Sequence, residues 1–589
     1  MIWKNIAKFL KKNIGSPLYR FLIEKDPNMI ILGGVVGVCT GFGAEFFRLL
    51  ILFFRDIFFI GRFEVLNTTS LSWYLIILIP MAGGLLIGPL TYFFPAEAKG
   101  DGIPEVMRSI VLKNGVIKKR TIFLRSLASA VCLGSGGSAG REGPIVQIGS
   151  AIGSTFGQLF NISAERMKIL VGCGAAGGIA AIFNAPLGGV LFSMEIVMGE
   201  FTISTFTPII VSSVAATAIS HAFHANNPEF LVPAYQIISY WEIIFYIILG
   251  LLSGLIARFF VVTLYKFEDF FEKKVKIHPI LKPALGGFVL GCLAIFFPQI
   301  LGNGYENIRQ ALYGHVVWYI AFFLIFVKIL ATSITLGSGG SGGIFAPSLF
   351  VGSVLGSVFG SLVHFLFPAI TATKGAYALV GMGAVFAAAA HAPMTNILIL
   401  FEITNEYQII VPIMVSCIIS TSIARYLSPD SIYTWNLRKL GINIHKGREV
   451  SIMGSLKVSG IVNKNFEVIS ENTSFRKILN IISNSKNWNF PVVNSNNRMV
   501  GILSLANIRE VMFEEGLKGL VVAKDLATTD VVSLFPKNNL NEALEKFASI
   551  GATQLPVVDP EKPDRVIGML SRGDVISTYN KKVQITNVQ

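Results

Sequence analysis

Three short stretches share a composition that is costly inside a helix and useful at the end of one. Gly134 to Pro144 is GSGGSAGREGP, Gly337 to Pro347 is GSGGSGGIFAP, and Gly100 to Pro104 is GDGIP. Glycine weakens a helix by roughly 1 kcal/mol per residue. It also lets a backbone or ligand approach closely, and proline is tolerated in a first turn. Each stretch is therefore predicted to mark a helix start, with Pro144 opening a helix beside the N–H groups of Glu142 and Gly143. Unpaired amides and the positive end of a helix dipole attract a small anion without a buried cation, which would hold it too tightly for passage. For one glycine run alone, close packing between membrane helices competes with this explanation. Three such starts, two of them in matched positions, favour a binding site. The Gly-Lys-Ser/Thr ending of a phosphate loop is missing from all three. Glu142 adds a second chemistry, because a lone acid buried in a membrane span is a functional candidate by default. Its structural alternative is an ion pair with Arg141.

The elements that must position these residues are membrane helices. Of the 589 residues, 52% are hydrophobic and only 14% are charged, and the mean hydropathy is +0.63. That composition is too apolar for a soluble protein of this length. Tyr74 to Phe94, Glu242 to Tyr265, Val316 to Leu336 and Ile409 to Ala424 approach the length that crosses a hydrocarbon core. The membrane half also repeats itself. GSGGSAGREGP returns as GSGGSGGIFAP 203 residues later, and Pro186 and Glu195 return as Pro393 and Glu402 at an offset of 207. Two matched pairs in one order imply a duplicated unit, and duplicated transporter halves often have inverted topology with a mid-membrane site. The expected fold is an α-helical polytopic membrane protein of two inverted repeats, near residues 29–225 and 240–436, followed by a small α/β tail.

The net charge of +14 is concentrated in short connections such as Lys113 to Arg125, which reads as positive-inside topology rather than nucleic-acid binding. The basic opening MIWKNIAKFLKKN does not resemble a cleavable secretory signal. Residues 1–28 and the tail are expected on the cytoplasmic side of a cell membrane. Cys39, Cys132, Cys173, Cys292 and Cys417 lack a pairing or metal spacing, so core packing is their expected role. Neither the seven histidines nor any nucleophile beside a base suggests an enzyme. Hydropathy falls after Tyr433, and a basic linker at 437–450 leads to a region, 451–589, of alternating short strands and amphipathic helices. That tail repeats too, near 451–515 and 523–583. A helix leading into FPVV and MVGILS is answered by one leading into LPVV and VIGMLS.

GSGGSAGREGP, GSGGSGGIFAP, APLGGVLFSMEI and SIYTWNLRKLG stand in the order found in the CLC chloride channel and transporter family, which the chain resembles over nearly its whole length. The resemblance implies a homodimer in a lipid bilayer, with one chloride pathway per subunit. It makes Glu142 a lid that blocks the outer end of the path and swings away when protonated. It places the anion among Asp101, Gly102, Ile103, Arg141, Gly143, the amides of Ile344 and Phe345, and the hydroxyl of Tyr433. A tyrosine hydroxyl can donate to an anion while remaining neutral; Tyr433 alone would read as an interfacial anchor, and its place in SIYT, just before the tail, changes that reading.

Two positions depart from the family pattern. Asp101 stands where many members have serine, and an ionised carboxylate aimed at chloride would repel it. Asp101 must then turn away, be protonated, pair with a cation or alter the anion preference. Ile196 stands where many exchangers carry an inner proton-relaying glutamate. Its apolar side chain resembles the family's channels and weakens proton antiport without excluding it, since water or Glu200 could serve. The leading expectation is a gated anion channel, the alternative a proton-coupled antiporter.

The tail resembles a pair of CBS domains, which implies adenine-nucleotide binding between the repeats. Ser571 and Asp574 match a pattern whose carboxylate accepts ribose hydroxyls, while Ser504 and Asn507 are the weaker first-repeat counterpart. No cofactor is required, and plain packing against the membrane domain is the alternative. A third reading, a nucleotide sensor on a membrane anchor, leaves the glycine motifs and Glu142 without a purpose.

Overall fold

The computed structural model describes residues 27–59, 72–224, 230–404 except 231, 234 and 236–237, 407–439 and 442, and 453–588 except 455, 486 and 513–519. The basic opening and most of the linker at 437–450 lie outside the described residues. Contacts divide the chain into two compact units, Met1–Asn436 and Leu437–Gln589.

The first unit is helical. Its elements are α1 (Pro27–Phe59), α2 (Trp73–Phe93), α3 (Ile103–Leu112), α4 (Thr121–Gly134), α5 (Glu142–Leu159), α6 (Ala164–Phe183), α7 (Pro186–Leu191) and α8 (Ile203–His224). They are followed by α9 (Glu242–Lys273), α10 (Lys282–Phe296), α11 (Tyr305–Leu312), α12 (Trp318–Gly337), α13 (Phe345–Leu366), α14 (Lys374–Ala390), α15 (Pro393–Thr404) and α16 (Ile410–Leu427). Among the described residues, nine helices are long and apolar enough to cross a membrane. Outward-facing Phe46, Phe53, Leu86, Phe93 and Phe123 give this unit an apolar exterior suited to lipid.

The duplication seen in the sequence is a duplication of contacts. Gly149 on α5 packs against Gly174 on α6 so closely that a Cβ on either would strike the other's backbone, and Gly352 on α13 meets Gly381 on α14 in the same way. The paired short helices behave alike. Glu195 lies in a π-helical continuation of α7, Phe192–Met198, and accepts from Thr395 N at 2.7 Å in the first turn of α15. Glu402, on α15, accepts from Leu187 N at 2.9 Å and Gly188 N at 2.7 Å in the first turn of α7. Each repeat thus supplies the carboxylate that caps the other's helix start, where orphan amides would otherwise face a poorly hydrogen-bonding medium. These reciprocal contacts describe two inverted halves around a pseudo-twofold relation.

The second unit is a small α/β region. Strands β1 (Ile469–Ser470), β2 (Asn489–Val493) and β3 (Met499–Ser504) form one sheet in that order, and β4 (Gln554–Val558) pairs with β5 (Val566–Ser571). Helices Phe475–Asn484 and Leu505–Met512 flank the first pair of repeated strands, and Leu540–Ile550 and Arg572–Val588 flank the second. The register slips at Val492/Val493 in one sheet and at Val557/Val558 in the other, the same place in both repeats. Phe475, Phe490 and Leu503 centre one core, and Phe547, Leu555 and Leu570 centre the other. Asn489 Nδ2 donates to Gln554 O at 3.0 Å, and Met499 N to Asp564 O at 2.7 Å, joining the two repeats.

Candidate anion pathway

The three glycine motifs, far apart in sequence, are tied together by their backbones. Gly100 N donates to Gly340 O at 2.9 Å and Gly342 N to Gly100 O at 3.1 Å, while Gly140 and Gly343 exchange two bonds at 2.6 Å. Three helix starts converge there. Gly102, at φ 96° in a region that disfavours side chains, precedes α3. Arg141 precedes α5, and Ile344 precedes α13. The start of α5 corrects the expectation that Pro144 would begin it. The helix opens two residues earlier, at Glu142, so Gly143 and Pro144 lie within the first turn, where a missing proline N–H costs no intrahelical bond.

Glu142 is fully buried. Its Oε1 accepts from the hydroxyl of Tyr305 at the start of α11, and its Oε2 lies 3.4 Å from Ala346 N in the first turn of α13. A glutamate of the first repeat therefore reaches across to the helix start of the second. The Arg141 guanidinium lies 5.3 Å from the centroid of the Tyr305 ring.

Ile344 and Phe345 are buried at 2% and 0% exposure. The Phe345 ring sits 4.1 Å from Phe386, 4.9 Å from Phe183 and 6.4 Å from Phe192 between centroids. These contacts build an aromatic wall from both repeats. Tyr433 is fully buried, and its hydroxyl has no hydrogen-bond partner among the described residues. Its segment is held by Ile432 N on Ala389 O at 2.8 Å and by the Tyr265 hydroxyl on Ile432 O. An orphaned phenol in a sealed interior is unfavourable unless it has a ligand to donate to. An interfacial anchor would have its hydroxyl in a polar surface layer, which this position is not.

Asp101 neither turns away nor pairs its carboxylate with a cation by hydrogen bond. Its Oδ2 accepts from Ile344 N at 2.8 Å and its Oδ1 from Ile103 N at 3.1 Å. One of the two amides expected to face an anion, that of Ile344, is thus engaged by an acidic side chain of the protein itself, together with the amide of Ile103. Ile196, 5% exposed, lies in the π-helical segment next to the capping Glu195, and Glu200 is exposed in the coil that follows.

Sequence reasoning missed three residues here. Tyr305 follows no glycine-proline pattern, and only the fold brings it to Glu142. Arg125, expected among the positive-inside charges, is fully buried instead. It donates to the carbonyls of Ala98 at 3.2 Å, Lys99 at 3.3 Å, Gly100 at 2.6 Å and Asp101. Its place at the head of the apolar helix α4, rather than in the preceding loop, was the available signal. Lys328, a lone cation in α12, donates to Ile300 O and Gly302 O at 2.9 Å each and stabilises the turn that leads to Tyr305. A charge within a span was its signal.

In the second unit, Ser571 Oγ donates to Asp574 Oδ2 at 2.6 Å and accepts from Asp574 N at 3.0 Å, with Asp574 exposed. In the first repeat, Ser504 Oγ donates to Asn507 Oδ1, and Asn507 Nδ2 donates to Thr528 Oγ1 at 3.3 Å. The two Ser-x-x-Asx turns are equivalent in form, but only the second carries a charge.

A duplicated, lipid-suited helical unit with opposed helix starts around a buried acid defines a membrane transport protein. Residues 83–425 match the voltage gated chloride channel family and residues 458–514 and 523–581 match the CBS domain, so the chain belongs to the CLC family of anion transport proteins and carries a CBS pair. It is 30% identical over 562 residues to chloride channel protein CLC-f of Arabidopsis thaliana, covering 83% of this chain and 71% of that one. It is 31% identical over 422 residues to the H(+)/Cl(-) exchange transporter ClcA of Vibrio parahaemolyticus, covering 70% and 90%. The crystal structure of a slow cyanobacterial Cl-/H+ antiporter superposes with a TM-score of 0.64 at 27% identity, covering 70% of this chain and 97% of that one. The protein is therefore a multi-pass membrane protein of an anion-transporting family.

Proposed function

We propose that the protein is a chloride channel in which Glu142 is the lid. The observation that carries this reading is the position of the Glu142 carboxylate, held by the Tyr305 hydroxyl and lying over Ala346 N in the first turn of α13. In that position it engages amides suited to an anion, and protonation removes the charge that holds it there. Chloride then passes among the helix starts of α3, α5 and α13 and the hydroxyl of Tyr433. Gly102, Gly143 and Ile103 supply close backbone, Ile344 and Phe345 the α13 helix start, and Arg141 positive charge at the outer side. Ile196 cannot carry a proton inward, which favours passive flow over strict coupling.

A second reading, proton-coupled exchange, is supported by two similar proteins whose names describe exchange of protons and chloride. Simultaneous chloride and proton measurements in liposomes separate the two. With equal chloride on both sides and the voltage clamped by a potassium ionophore, the channel reading predicts no chloride accumulation on imposing a pH gradient. Sustained accumulation that disappears in Glu142→Ala establishes exchange instead.

The protein acts as a homodimer with one pathway per subunit, its N-terminus and CBS tail on the cytoplasmic side. Adenine nucleotide bound at Ser571 and Asp574, with Ser504 and Asn507 in the neighbouring repeat, regulates flux. The exposed Asp574 carboxylate supports this, because it can accept the two hydroxyls of a ribose.

A further inference from the structure

The carboxylate of Asp101 does at this site what a bound anion would do. Its two oxygens accept from two backbone amides, Ile103 N and Ile344 N, which belong to different repeats. An ionised carboxylate, which only accepts, can make both bonds at once. Three further features mark the place as built for negative charge. The buried guanidinium of Arg125 donates to the backbone carbonyls of Gly100 and Asp101, fixing a positive charge on the backbone of the same motif. Gly143, directly after the lid, lies against it, so that a Cβ there would meet Asp101 Cγ and Oδ2 at 2.9 Å. The hydroxyl of the fully buried Tyr433, which has no hydrogen-bond partner among the described residues, is a neutral donor available to an anion.

Resting on the anion-pathway reading above, we propose that Asp101 is a tethered competitor for the inner anion position, so that chloride must displace its carboxylate from the Ile344 amide in order to bind. Two anions cannot share one amide, and their repulsion in a poorly screened interior is strong. Glu142 holds the outer position and Asp101 the inner one. Asp101 is thereby an affinity-determining residue, keeping chloride weakly bound where a neutral hydroxyl would hold it longer. A purely structural role, capping α3 through Ile103 N, predicts something different: loss of stability on substitution and no gain in chloride affinity.

Chloride titration by calorimetry on the purified full-length chain tests this, in a Glu142→Gln background that removes the outer competitor. Asp101→Ser is expected to tighten chloride binding by about tenfold or more, the equivalent of one charge-assisted hydrogen bond no longer displaced. Asp101→Asn, similar in shape but neutral, is expected to fall between. Should the serine variant fail to elute as a folded protein, the asparagine variant alone decides, since it must still bind chloride more tightly than its parent. Unchanged or weaker affinity in the folded variants, with clear binding by Glu142→Gln itself, overturns the role of Asp101 and leaves the pathway reading in place. Absence of chloride binding in every folded variant overturns both.

Discussion

The hydroxyl of Tyr305 donates to the carboxylate of Glu142, joining a residue at the start of α11 in the second repeat to the first residue of α5 in the first repeat. A bond from a neutral donor to a charged acceptor is worth ~1.5–3 kcal/mol. Tyr305→Phe keeps the ring and its contact with Phe230 at 5.2 Å but removes that bond. The lid should then leave its seat more often, raising chloride efflux from liposomes near neutral pH by about tenfold or more. Because Lys328 secures the turn before Tyr305, Lys328→Met should act through the same bond. Its effect in the Tyr305→Phe background should be far smaller than alone. Efflux from Tyr305→Phe equal to that of the unaltered protein contradicts this account of the seat.

The crossed caps give a prediction about stability rather than flux. Glu402→Ala strips Leu187 N and Gly188 N of their acceptor, and Glu195→Ala does the same to Thr395 N. Losing a helix cap costs ~0.5–2 kcal/mol. Each variant in detergent should therefore show a lower thermal midpoint, and the pseudo-twofold relation makes the two losses similar. A midpoint unmoved in both variants means that the caps are geometrically present but energetically idle.

Nucleotide regulation rests on Asp574. Asp574→Ala should weaken adenine-nucleotide binding to the full chain by ~1.5–3 kcal/mol, the worth of a hydrogen bond to a charged group. Asn507→Ala should matter less, because the Asn507 side chain is neutral and a hydrogen bond to it is worth less than one to a carboxylate. Calorimetry that detects no nucleotide binding to the unaltered protein under any condition assigns the CBS pair to packing instead.

The sequence carried the membrane architecture openly, because apolar spans, glycine-proline starts and a 207-residue repeat are local or periodic signals. The paired offset of Glu195 and Glu402 was equally visible, but its meaning was not. That two equivalent acids cap each other's repeat follows only when the halves are brought together. Glu142 was legible as a buried acid, whereas its partner Tyr305 lies 163 residues away with no periodicity linking them. Asp101 was legible as an anomaly. Its resolution needed the distance to Ile344 N, across 243 residues. Arg125 was misassigned because a charge count along the chain cannot distinguish the last residue of a basic loop from the first cation inside a helix.

The central claim is that the Glu142 carboxylate is the protonatable lid of a chloride pathway, and the most direct measurement is chloride efflux from liposomes as a function of external pH in the unaltered protein and in Glu142→Gln. Glutamine imitates the protonated, neutral side chain. The account predicts that efflux through the unaltered protein rises as external pH falls, while Glu142→Gln conducts at the higher level with most of that dependence gone. A Glu142→Gln protein that keeps the unaltered pH profile contradicts it.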